Sequence, residues 1–163
     1  MTGNIDRFME EIKNERKRQD DKWGKQYHKP VEWLCILTEE VGEATEDATG
    51  RPVTRAKIEN TITELIQCSA VAVAMVESSD MTSAHIVLDW LRDVLINRTE
   101  QYGQIPHPDI SELTVELGRL AKVACEWHFS GERTTGSYDK YRIQLLSFCY
   151  TCFCIFTIYT NEE

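Results

Sequence analysis

The sequence predicts an all-α protein built from two similar halves, and three observations carry that prediction. Glycine and proline are sparse, 8 and 4 of 163 residues, and they fall between periodic segments instead of inside them. Apolar residues recur at helical spacing over long stretches. Residues 37–48 (LTEEVGEATEDA) and 113–124 (LTVELGRLAKVA) nearly repeat each other, and the features around them recur in the same order. Self-similarity of this kind marks a duplicated unit. A three-helix half is too small to bury a very apolar helix alone. The expected architecture is therefore one helical bundle in which residues 1–80 and 81–163 pack as a pseudo-dimer about an approximate two-fold axis.

The first helix is expected over residues 5–22, where Ile5, Phe8, Met9 and Ile12 share one face and Gly24 with the following KQYHKP ends the pattern. A second is expected over residues 31–48, broken by Gly50 and Pro52. A third, over residues 55–77, carries LIQCSAVAVAMV, whose small side chains permit close helix packing. The pattern then restarts. Residues 83–99 are helical in period, EQYG at 100–103 stands where DKWG stood at 21–24, and the second LTxExG segment follows QIPHPDISE. A polar break over residues 130–137 precedes a last apolar helix over residues 138–159.

Composition narrows the function classes. A formal net charge of -9 argues against a binder of nucleic-acid polymers, which presents a basic face to phosphates. It leaves free nucleotides open, because a cation held by carboxylates brings a polyphosphate to an acidic surface. The six cysteines lie mostly in apolar helical runs without zinc-ribbon spacing, so buried free thiols are expected. The uncharged run at residues 145–159 is shorter than the ~20 residues of a membrane span and reads as a core helix. With no charged-then-apolar leader at the start, a cytoplasmic protein without membrane partners is the expectation.

Carboxylates carry the chemistry. Glu39 and Glu43 are four apart and Glu40 and Glu43 three apart, so one side of a helix holds like charges that repel. Glu64 and Gln67 are three apart on the next helix, which should pack antiparallel to the first. If Glu64 faces Glu40 and Glu43, three carboxylates converge, and a hard divalent cation relieves the repulsion. Mg²⁺ suits such oxygen ligands, with Mn²⁺ as an alternative. The same acids would also suit a solvated helical face. Against this, Glu64 and Gln67 sit at the shoulder of a very apolar helix.

Glu-Glu-x-x-Glu followed about twenty residues later by Glu-x-x-Gln resembles the metal motif of the MazG-like all-α nucleotide pyrophosphohydrolases, relatives of dimeric dUTPases and phosphoribosyl-ATP pyrophosphohydrolases. ILTEEVGEA, ELIQCSAVAVAMVE and ERKRQDDKWG are similar to segments of that family. The resemblance implies that Glu40, Glu43 and Glu64 bind Mg²⁺. It makes Glu39 a further ligand or the group that orients the attacking water, and it makes Gln67, an amide where an Asp is usual, a neutral fourth ligand. It further implies hydrolysis of a nucleoside triphosphate to monophosphate and pyrophosphate, with Glu39, Glu40, Glu43 and Glu64 as the catalytic set. A nucleotide-binding protein without turnover, built on the same fold, is the rival reading.

The second half keeps only Glu116 of this set. Val115 and Arg119 replace two acids, and Gln144 and Ser147 align near Glu64 and Gln67, so this half reads as structural. Substrate contacts are sought among Arg16, Lys22, Trp23 and Lys25. Arg55 and Lys57 are further cations that could face a polyphosphate, and Tyr27 and Trp33 further aromatics that could border a base. A second copy of the chain is a candidate partner, as the family's dimers suggest.

Overall fold

The computed structural model describes residues 2–80, 83–129 and 135–161. Among them are six helices and no strand: α1 (Thr2–Trp23), α2 (Pro30–Thr49), α3 (Arg55–Asp80), α4 (Ala84–Tyr102), α5 (Glu112–Phe129) and α6 (Thr135–Asn161). Each expected helix is present, with ends shifted by a few residues. The largest shifts are three residues: α1 begins at Thr2, α3 continues through Asp80, α4 continues through Tyr102, and α6 begins at Thr135 rather than near residue 138. Residues 130–134 of the expected polar break lie outside the described residues.

The two WG and YG segments are helix C-caps. Gly24 (φ 71°) and Gly103 (φ 67°) adopt the left-handed conformation, which costs glycine least. Each donates its N–H to the carbonyl four residues back, Asp20 at 2.9 Å and Thr99 at 3.1 Å. At the other end of the α1–α2 connection, Pro30 occupies the first turn of α2. The Lys29 N–H donates to Glu32 Oε2 at 2.8 Å, so helix entry is locally satisfied.

α3 and α6 form the centre. In α3, residues 68–76 are buried without interruption; in α6, residues 148–150 and 152–157 are. The two helices touch where side chains are small, with Cys149 Sγ 3.9 Å from the Ser69 carbonyl. α2 lies along α3 and α5 along α6. Both pairs are antiparallel: Trp33 Nε1 donates to Ser78 Oγ at 2.7 Å while Glu40 meets Glu64, and Trp127 stacks on Tyr141 at 4.9 Å while Glu116 meets Gln144. α1 covers α3 and inserts Phe8 against Phe153 and Phe156 of α6, with ring centroids 5.4 and 5.1 Å away.

Among the described residues, α3 and α6 also contain the two stretches, Arg55–Ser79 and Gly136–Thr160, that are long and apolar enough to cross a membrane; 67% and 61% of their most apolar 18-residue windows are buried inside the bundle. The thiols are free, as expected, and Cys68, Cys149, Cys152 and Cys154 are buried. Burial pushes Cys152 up to about 12 and Cys154 to about 11. Cys35 departs from the expectation and is exposed. The inward face of α2 is set by Trp33, Leu34, Leu37, Val41 and Ala44, and helical geometry turns position 35 away from it.

Candidate metal centre

Antiparallel packing of α2 on α3 brings Glu40, Glu43 and Glu64 together. One carboxylate oxygen from each lies within 4.8 Å of the others. Leu37, Val41 and Ala44 are fully or almost fully buried, as is Leu65, and these neighbours hold the acids at the rim of the core. Glu40 and Glu64 are half-buried and Glu43 is exposed, so the cluster opens to solvent on one side.

Electrostatics shows the cost of this arrangement. Burial raises the Glu64 carboxyl to about 7, and its hydrogen bond with Glu40 and the charges of Glu40, Glu43 and Asp47 add to the rise. Burial also raises Glu40; Glu43, Glu39 and Glu15 push the same way, while the hydrogen bond with Glu64 opposes them. Below about pH 7 Glu64 therefore tends to hold a proton, which its hydrogen bond shares with the Glu40 carboxylate. Three oxygen donors that repel in the absence of a counter-ion fit a hard divalent cation. Oxygens 2.0–2.1 Å from Mg²⁺ lie roughly 3–4 Å from one another, so the widest pair needs to close by about 1–2 Å, within reach of side-chain rotation.

The remaining predicted residues divide. Gln67 joins the cluster by donating from Nε2 to Glu64 Oε2 at 2.7 Å, and so holds that carboxyl in place. Glu39 is exposed and outside the three-acid group, near enough for its charge to raise Glu40. Arg16 is engaged elsewhere: its guanidinium pairs with Glu77 and Asp20, both at 2.9 Å, and donates to Gln19 at 2.7 Å. Glu77 lies about 20 Å further along α3 than Glu64 at 1.5 Å per residue. Lys25 borders a groove of about 380 Å³ at that far end, with Arg16, Tyr27 and His85. Trp23 is half-exposed, with Lys22 Nζ 4.4 Å and Arg18 Cζ 5.7 Å from its ring centroid. Trp33 is core, and its indole N–H is bonded within the fold.

Sequence reasoning missed Glu15, Arg18 and Asp47. Arg18 makes two 2.6 Å bonds to Glu15 and feels the charge of Glu40. With Arg7, Glu11 and Gln67, this pair lines a groove of about 330 Å³ whose apolar floor includes Ile62 and Phe156. It is the groove that adjoins the acids. Its signals were the spacing, since Glu15 and Arg18 are three apart on the polar side of α1 as many structural pairs are, and their place in the ERKRQDDKWG segment, which did not single them out.

In the second half, Glu116 is buried and paired. Gln144 Nε2 donates to its Oε2 at 2.7 Å, and Arg119 Nη1 donates to its Oε1. No cluster of three potential ligands forms there among the described residues. Comparisons of this chain with protein-family models, curated proteins and solved structures return no match.

Proposed function

We propose that this protein is a Mg²⁺-dependent nucleoside triphosphate pyrophosphohydrolase with one active centre, in its N-terminal half, and a second half that is a degenerate copy of the first. The observation that carries this reading is the convergence of Glu40, Glu43 and Glu64 within 4.8 Å. Glu40, Glu43 and Glu64 hold the cation, and Gln67 fixes the Glu64 carboxyl. When bound, Mg²⁺ neutralises charge on the phosphoryl oxygens as the bond to the leaving pyrophosphate breaks. Glu39, one residue before a ligand and open to solvent, accepts a proton from the water that attacks the α-phosphorus. Arg18 adds positive charge beside the acids, and the apolar floor of the adjoining groove receives the uncharged part of the nucleotide. Water adds to the α-phosphorus and pyrophosphate departs, so the products are a nucleoside monophosphate and pyrophosphate.

In this reading α3 and α6 are core helices of a cytoplasmic protein, and a second copy of the chain is its candidate partner. Gln67, an amide within an otherwise acidic site, favours the alternative of a nucleotide-binding protein without turnover. One experiment separates them. Purified protein with Mg²⁺ is offered ribo- and deoxynucleoside triphosphates, and pyrophosphate is scored separately from orthophosphate. Pyrophosphate release that Glu64→Gln abolishes supports the enzyme. Thermal stabilisation by nucleotide and Mg²⁺ without product supports the binding protein. Neither result sinks both readings.

A further inference from the structure

The second half holds a carboxylate in the place where the first half holds its acids, and there the counter-ion is visible. Glu116 of α5 faces Gln144 of α6 as Glu40 of α2 faces Glu64 of α3, with the shared LTxExG text setting the register of the outer helices. The inner helices agree independently in burial. Thr61, Leu65 and Ile66 on α3 are buried around the intermediate Glu64, as Tyr141, Leu145 and Leu146 on α6 are around the intermediate Gln144. On this register Arg119 stands where Glu43 stands and Ser147 where Gln67 stands.

The Glu116 side chain is 9% exposed, and a carboxylate so buried needs a compensating charge. Arg119 supplies it at Oε1, while Gln144 satisfies Oε2. The Ser147 hydroxyl, at the fourth corner, accepts Nη1 of Arg98 from α4 at 3.1 Å. Two guanidinium groups therefore reach the positions that, in the first half, are surrounded by acids.

We infer that the second half contains a divalent-cation site closed by the protein's own arginine, with the Arg119 guanidinium seated on Glu116 in place of the ion. Replacing both Arg119 and Gln144 by glutamate reopens a second site of the same chemistry, three carboxylates with Glu116 for Mg²⁺ or Mn²⁺. This takes its template from the proposed metal centre but concerns different residues, so the two are separable.

The test uses the full chain in a Glu64→Gln background, which disables the first centre. Into it are placed either Gln144→Glu alone or Arg119→Glu with Gln144→Glu. Melting is followed in EDTA and in 10 mM Mn²⁺, and ion stoichiometry by calorimetry. The Arg119→Glu, Gln144→Glu variant should melt low in EDTA, gain about 5 °C or more with Mn²⁺, and bind one ion. Gln144→Glu alone should remain folded and gain nothing, because the Arg119 guanidinium still occupies the place the ion would take. Three results overturn the inference: no Mn²⁺ response in the reopened variant, a variant that stays unfolded with Mn²⁺, or an equal response while Arg119 is present. A wild type without Mg²⁺ response beside a responsive reopened variant would refute the first centre and leave this inference standing.

Discussion

Replacing Glu64 by Gln should stabilise the metal-free protein at alkaline pH while abolishing its response to Mg²⁺, an unusual pairing for a buried-rim substitution. Glu64 in the folded chain loses its proton at about 7 instead of its ordinary 4.5. Below pH 4.5 folded and unfolded chains both hold the proton, and no penalty exists. Between 4.5 and 7 the unfolded chain releases it first, so stability falls as pH rises, and above 7 the full penalty is present. The displacement corresponds to about 3 kcal/mol. Solvent around this half-buried group reduces this to about 1–2 kcal/mol. For a domain of this size that is roughly 3–6 °C in Tm. The assay is thermal melting in EDTA from pH 5 to 8.5, repeated with 10 mM Mg²⁺. Wild type should lose Tm toward pH 7 and recover it with Mg²⁺, whereas Glu64→Gln should lose less over the same range, gain nothing from Mg²⁺, and melt higher than metal-free wild type at pH 8. A variant that melts lower than metal-free wild type at pH 8, or a wild type without pH dependence across this window, would refute the idea that burial and the neighbouring acids disfavour the Glu64 carboxylate.

Three further outcomes are expected. Arg16→Met should cost about 3 kcal/mol in denaturant unfolding, because it leaves the half-buried Glu77, already raised by burial, without the guanidinium that opposes that rise. Phe8→Ala should cost about 3–5 kcal/mol by the same measurement, since it empties the fully buried contact of α1 with Phe153 and Phe156. An aromatic disulfide reagent should label Cys35 first, with Cys125 slower and Cys68, Cys149 and Cys152 reacting only after denaturation, counted by mass spectrometry under native and denaturing conditions.

The sequence by itself determined the helices, because their signals are local. Apolar residues at helical spacing define α1, α2 and α5, and glycines at 24 and 103 end α1 and α4 where only a left-handed residue continues the chain cheaply. It also determined which acids are candidates, since Glu40 and Glu43 share a helix face wherever that helix packs. The junction with Glu64 was legible only as a condition, dependent on how α2 meets α3.

Tertiary structure decided the rest. It separated Arg16 from the acids by engaging it with Glu77, which the sequence places sixty-one residues away. It turned Cys35 outward and Trp33 inward, through the choice of which α2 face meets α3. It brought Glu15 and Arg18 of α1 beside Glu40, though α1 carries no motif for that contact. It also showed that Glu116 is buried and neutralised instead of solvated. The physical reason is common to all four. A helix's own pattern states which residues share a face, but burial, charge pairing and the desolvation that raises Glu64 depend on which neighbouring helix covers that face, and that is a property of the packed bundle.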